Sequence, residues 1–137
     1  MRVEGQVVGE IGPGLLALVA AGRGDEQSDA DYTIDKLIGL RIFSDDAGQM
    51  NRSLMEVRGG LLLVSQFTLF GDCRTGRRPS FVDALEPVRA EELYNHCVAR
   101  AEASQLHVAS GRFRADMKVE LINDGPVTLL VDSKRAF

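Results

Sequence analysis

Apolar and polar positions alternate in two rhythms along the chain, and the rhythm changes where Gly and Pro cluster. "GQVVGEIGPGLLALVAAGRG", residues 5–24, predicts two strands joined at Gly12-Pro13-Gly14. "SDADYTIDKLIGL", residues 28–40, changes to helical spacing: Ile34, Leu37 and Ile38 share a face, acidic residues fill the first turn, and Ser28 is the expected N-cap. "RIFSDDAGQMN" predicts a short strand running into a loop. "GGLLLVSQFTLF", residues 59–70, predicts a buried strand, continuously apolar except around Ser65-Gln66. A second helix opens at Pro87, a favoured first-turn residue, and Ala90, Leu93, Tyr94, Cys97, Val98 and Ala101 form its apolar stripe. In "RADMKVELI", Met117, Val119 and Leu121 alternate with Asp116, Lys118 and Glu120, as in a half-buried strand.

Strand clusters separate the two main helices, which predicts a single α/β (α+β-like) domain built on a mixed sheet over residues 1–137. That length is enough to bury a sizeable core. The net charge of −4 gives no bulk signal for nucleic acid, but Arg74, Arg77 and Arg78 crowd the short stretch "CRTGRRPSF", and Arg112 and Arg114 lie in "GRFRADMK". Cys73 and Cys97 have neither redox nor metal spacing, and two thiols make no disulfide framework. With no signal peptide in the letters, a reduced, cytoplasmic chain is expected. The longest apolar stretch, "GLLALVAAG", is too short to span a bilayer, so no membrane partner is expected.

Familiar catalytic sets are missing. There is no G-x-S-x-G elbow, H-E-x-x-H or P-loop, and "GEIGPG" is flanked by strands, so it reads as a turn. Neither His96 nor His107 is placed by sequence beside a nucleophile and a carboxylate, and a structural reading of both is preferred. Cys73 has arginine neighbours but no identifiable base, and Cys97 reads as a buried apolar residue. No metal and no cofactor is expected. What stands out is Ser65, Gln66 and Thr68 interrupting an apolar strand, where buried hydroxyls and amides need partners. Equally conspicuous is "INDGPVT", a hairpin-like turn that carries Pro126 where strand pairing should resume.

"VSQFTLFGD", "RRPSF", "GRFRADMKVELINDGPVTLL" and "GEIGPGLLALV" together resemble the D-aminoacyl-tRNA deacylase family, from about Val3 to Asp132. Both family motifs, Ser-Gln-Phe-Thr-Leu and Asn-x-Gly-Pro-Val-Thr, are intact and in order. The resemblance implies the family's fold, a mixed sheet forming a partly closed barrel with two main helices. It also implies a homodimer that hydrolyses the ester between tRNA and a D-amino acid or glycine. Gly125-Pro126 would be cis and enter the partner subunit's site, where its carbonyls hold the substrate α-amino group and exclude L side chains. Ser65, Gln66, Phe67, Thr68 and Leu69 match the opposing wall, with Met117 beside it, and the amides of Phe67 and Thr68 would polarise the ester carbonyl.

Two mechanisms are open, attack by the Thr68 hydroxyl or an RNA-assisted route through the terminal 2′-OH. The second is preferred because Thr68 has no evident base. Arg74, Arg77 and Arg78 are the expected tRNA contacts. The first strand of family members, with its Gln-Arg-Val stretch, has no counterpart in these letters. Either the start is set downstream of the true one, the preferred reading, or a strand is lost and a sheet edge left open. In that second case the alternative is a non-catalytic tRNA-binding homologue. A related L-alanyl-tRNA editing family alters Ser-Gln-Phe-Thr, so intact Ser65 and Phe67 argue against it. A Cys- or His-centred hydrolase is the weakest rival.

Overall fold

The central strand, β6, is buried on both faces, and the rest of the molecule is arranged around it. The computed structural model describes residues 1–137, with elements in the order β1 (Arg2–Val3), β2 (Gln6–Val7), β3 (Gly14–Val19), α1 (Gln27–Gly39), β4 (Phe43–Ser44), β5 (Met50–Arg52), α2 (Leu54–Val57), β6 (Gly60–Ser65), a 3-10 turn (Phe67–Phe70), α3 (Pro87–Ala103), β7 (Val108–Ser110) and β8 (Met117–Lys118). β6 pairs in parallel with β3 on one side and β7 on the other. Leu61 and Leu63 face one core with Ile34 of α1 and Tyr94, Cys97 and Ala101 of α3. Leu62 and Val64 face a smaller core with Met1, against which Val3, Met117 and Val119 pack. A parallel strand covered on both faces has to be continuously apolar, which is why "GLLLV" shows no alternation.

β3 and β6 meet at two glycines. A Cβ at Gly14 would stand 2.0 Å from the Gly60 carbonyl oxygen, so the close approach is possible only without side chains. The strand expected before Gly12-Pro13-Gly14 is present as β2, but it pairs with β1 rather than with β3, in a separate sheet of order β2-β1-β8. No helix is long and apolar enough to cross a membrane.

The N-cap of α1 lies two residues earlier than expected. Glu26, not Ser28, is the N-cap, because the Asp29 carboxylate reaches back to the Glu26 N–H at 2.9 Å; Ser28 lies exposed inside the helix. α3 begins at Pro87 as predicted, with Glu86 accepting from the N–H groups of Val88 and Arg89. Between the helices, His96 Nε2 lies 2.6 Å from Asp31, and Arg100 binds Asp35 through Nε and Nη2 at 2.8 Å each. The short α2 carries a reciprocal cap that the sequence reading passed over: Ser53 Oγ accepts from Glu56 N–H, and Glu56 accepts from Ser53 N–H.

Two expected strands are corrected. β6 ends at Ser65, and "FTLF" turns as a 3-10 segment. Residues 119–131, strand-like on both sides of Gly125-Pro126, form no ladder in this chain, and Ile122 is 93% exposed. Their strand-like apolar runs lack a backbone partner within the chain.

Candidate active site

The Ser65–Leu69 segment, the candidate wall, turns where β6 stops. Gln66 N–H still donates to the Val19 carbonyl at 2.7 Å, the last bond of the parallel sheet, and the chain then tightens through Leu69 N–H to Gln66 O and Gly71 N–H to Thr68 O. The first N–H groups of such a turn have no partner within it. Here they belong to Phe67 and Thr68, and no side chain accepts from them. The Gln66 amide Nε2 donates to Thr68 Oγ1 at 2.6 Å, which fixes both side chains across the turn.

Glycines seat the turn. A Cβ at Gly22 would meet the Phe70 ring at 2.7 Å, and one at Gly71 would meet Phe81 at 2.9 Å. Phe81 stands edge-on to Phe67, with ring centroids 5.2 Å apart. Ser65, Gln66, Phe67 and Met117 open on one groove of about 770 Å³, with Phe81 and Arg114 among its other walls. Phe67, Thr68 and Leu69 are exposed, an unusual placement for two large apolar side chains.

A second, mostly apolar cavity of about 700 Å³ lies behind the turn, between Leu69, β3 and residues 127–133. Gly125 and Pro126 line neither space. They sit at the tip of an exposed arm, joined by a cis peptide bond, with Gly125 at φ 137. Asn123 braces that tip: its Oδ1 accepts from Val127 N–H at 3.3 Å and its Nδ2 donates to Thr128 Oγ1 at 3.1 Å. Within the chain, then, the structure gathers Ser65, Gln66, Phe67 and Met117 at one groove, places Leu69 on the other cavity, and leaves Thr68 and Gly125-Pro126 outside both.

The arginine loop follows the turn and is closed at its base by the Asp72–Ser80 pairing. Arg74 is engaged internally, clasping Asp72 through Nε at 2.9 Å and Nη2 at 2.7 Å. That guanidinium, with the Arg74 N–H, holds the Asp72 carboxyl down to about 2. Arg77 and Arg78 are exposed and carry no ion pair.

Glu86 and Asp116 are the acids that line the groove, and neither histidine nor cysteine is among its walls. His96 is held by Asp31, and His107 Nε2 lies 3.3 Å from the Glu10 carbonyl. Cys97 is buried, and burial, followed by the nearby Asp31 charge, pushes its thiol up to about 11. Cys73 is exposed on the arginine loop. The sequence reading missed Phe81 as a partner of Phe67 and Asn123 as the brace of the arm. "RRPSF" and "INDGP" held both residues, but only the fold shows what they touch.

A family model described as D-Tyr-tRNA(Tyr) deacylase matches residues 1–132. The D-aminoacyl-tRNA deacylase of Sorangium cellulosum is 60% identical over 138 residues, covering 100% of this chain and 92% of the relative. That of Desulfitobacterium hafniense is 55% identical over 137 residues, with the same shares covered. Among solved structures, the c-Myc DNA Unwinding Element Binding Protein superposes with a TM-score of 0.87 at 32% identity, covering 93% of this chain and 87% of that one.

Proposed function

The chain belongs to the D-Tyr-tRNA(Tyr) deacylase family, and from that premise we propose that it hydrolyses the ester linking a D-amino acid, or glycine, to tRNA. The observation that carries the mechanism is the Ser65–Leu69 turn, with the amides of Phe67 and Thr68 unengaged and Phe67 lining an open groove. Two such donors stabilise the charge that develops on an ester carbonyl oxygen during attack. An aminoacyl ester is already activated, so positioning and polarisation suffice without a protein base. Thr68 contributes through its backbone. Its hydroxyl oxygen accepts from Gln66, and the terminal 2′-OH of the tRNA helps activate water.

Chirality is read by the second motif. A homodimer brings Gly125-Pro126 of one subunit over the wall of the other, with the exposed apolar flanks of the arm, Leu121, Ile122, Leu129 and Leu130, covered in the process. The carbonyls of Gly125 and Pro126 take the substrate α-amino group, and the backbone there leaves no room for an L side chain. Leu69 and Met117 bound the remaining space. A filter made of backbone cannot reject glycine, which has no side chain, and it passes many D side chains that point outward. Arg77 and Arg78 meet tRNA phosphates, with Arg74 shaping the loop from its base. The reaction belongs in the cytoplasm, with charged tRNA.

The test is release of amino acid from matched D-, L- and glycyl-tRNAs by the purified chain. Rapid release from the D and glycyl substrates and none from the L substrate is expected. Binding of D-aminoacyl-tRNA without release would instead identify a non-catalytic tRNA-binding homologue, and release confined to D-tyrosyl-tRNA would contradict the backbone filter.

A further inference from the structure

The arm that carries Gly125-Pro126 makes no ladder with the rest of the chain, so apart from the packing of Val119 and of residues 127–131 around the apolar cavity, its position depends on how its two ends are held. On the N-terminal side, Met117–Lys118 pairs with β1. On the C-terminal side there is no strand. Instead, the Asp132 carboxylate accepts from the N–H groups of Lys134 and Ala136 at 3.0 and 3.2 Å, folding the chain into a compact turn. Lys134 Nζ then crosses to the start of α1, donating to Asp29 Oδ2 at 3.2 Å and lying 3.6 Å from Asp25 Oδ1.

The receiving carboxylates are rigid. Asp25 and Asp29 side chains are only 13% and 15% exposed. Each is also bound to backbone, Asp25 to the Gly22 N–H at 2.7 Å and Asp29 to the Glu26 N–H at 2.9 Å. Beside them the Arg135 guanidinium lies 5.9 Å over the Tyr32 ring. Hydrogen bonding to Asp29 raises the Lys134 pKa. Burial acts to raise that of Asp29, but the Glu26, Ser133 and Lys134 hydrogen bonds outweigh it and leave it lowered, so both partners stay charged.

We propose that Lys134, through Asp29 and Asp25, is a positioning residue for the chiral filter: it anchors the free end of the arm so that Gly125-Pro126 is held at a fixed height over the site it screens. The inference rests on the reading of Gly125-Pro126 as that filter. Exclusion of an L side chain by backbone depends on placement to within an ångström. An arm tied at one end wanders more than an arm tied at both. Released, it admits what it should exclude.

Lys134 is itself 56% exposed, so Lys134→Met should leave the fold intact. Relative to wild type, we expect the ratio of D- to L-tyrosyl-tRNA deacylation to fall about tenfold, with KM for the D substrate rising more than kcat falls. Backbone amide order parameters across residues 119–131 should fall while those of α3 are unchanged. Lys134→Arg should restore both readouts, since a second cation reaches the same carboxylates. An unchanged ratio with unchanged order parameters would overturn the proposal, as would a lost ratio that Lys134→Arg does not restore. If wild-type protein releases no D-amino acid at all, the functional reading fails separately. Order parameters then decide the anchor: a fall over 119–131 upholds it, and no change overturns it.

Discussion

Thr68→Val separates the two ways this wall can work. The substitution is nearly isosteric and keeps the Thr68 N–H, the group assigned to the ester oxygen, while deleting the hydroxyl. In the structure that hydroxyl oxygen accepts one bond, 2.6 Å from Gln66 Nε2, at an exposed position. A neutral hydrogen bond of this kind contributes about 1 kcal/mol, which is roughly fivefold in rate if all of it is expressed in the transition state. A nucleophilic hydroxyl would be another matter, since removing a covalent nucleophile lowers kcat by on the order of 10⁴-fold or more. The assay is single-turnover release from D-tyrosyl-tRNA at saturating enzyme, paired with thermal melting to show that the fold is intact. A loss of up to about tenfold is the expected outcome. A loss above about a thousandfold, with unchanged melting, would refute the backbone mechanism and install Thr68 Oγ1 as the nucleophile.

Other consequences are independent of the chemistry. Cys97 is buried with its thiol pushed up to about 11 while Cys73 is exposed, so a thiol reagent near pH 8 should titrate Cys73 promptly and Cys97 only on unfolding. Gly14→Ala would force a Cβ to within 2.0 Å of the Gly60 carbonyl and should lower stability by about 3 kcal/mol, read as a shifted urea midpoint. The Asp72 carboxyl, held at about 2 by Arg74, should titrate there by NMR, and Arg74→Ala should return it towards 3.8. Because its folded pKa is depressed, any stabilisation from this pair is complete above the ordinary carboxylate range and is lost as pH falls from about 4 through about 2.

The parts of the fold legible in sequence are those whose pattern is satisfied within the chain. The stripe from Ala90 to Ala101 packs as a helix face because α1 and β6 lie against it, and "GLLLV" is a central strand because apolar layers cover both its sides. Legibility fails where one pattern serves two structures. Phe67, Leu69 and Phe70 extend an apolar run that reads as strand, yet the chain turns there, with Phe70 packed over Gly22 and Phe67 against Phe81. These contacts are set by residues distant in sequence. Residues 119–131 fail in the opposite direction: the apolar runs on both sides of the turn read as strand, but nothing in the chain pairs with them. The helix start moved from Ser28 to Glu26 because Asp29 answers the Glu26 N–H, a reciprocal cap available at either register until the fold chooses one. The motif letters single out Ser65–Leu69 as the candidate wall, whereas Arg74's capture by Asp72 is a matter of side-chain geometry that no spacing announces.

Complementation between damaged copies tests the central claim, that the Ser65–Leu69 turn of one subunit and Gly125-Pro126 of its partner form a single D-selective site. Phe67→Pro removes one amide donor from the wall, and Gly125→Val places a side chain where φ is 137 and the Val127 N lies only 3.1 Å from a Cβ. Each variant alone should be inactive on D-tyrosyl-tRNA. Unfolded together and refolded as mixed dimers, they should regain about half the wild-type activity per heterodimer, because one of the two composite sites is then whole. A mixture that forms dimers yet stays as inactive as its parents would contradict the account.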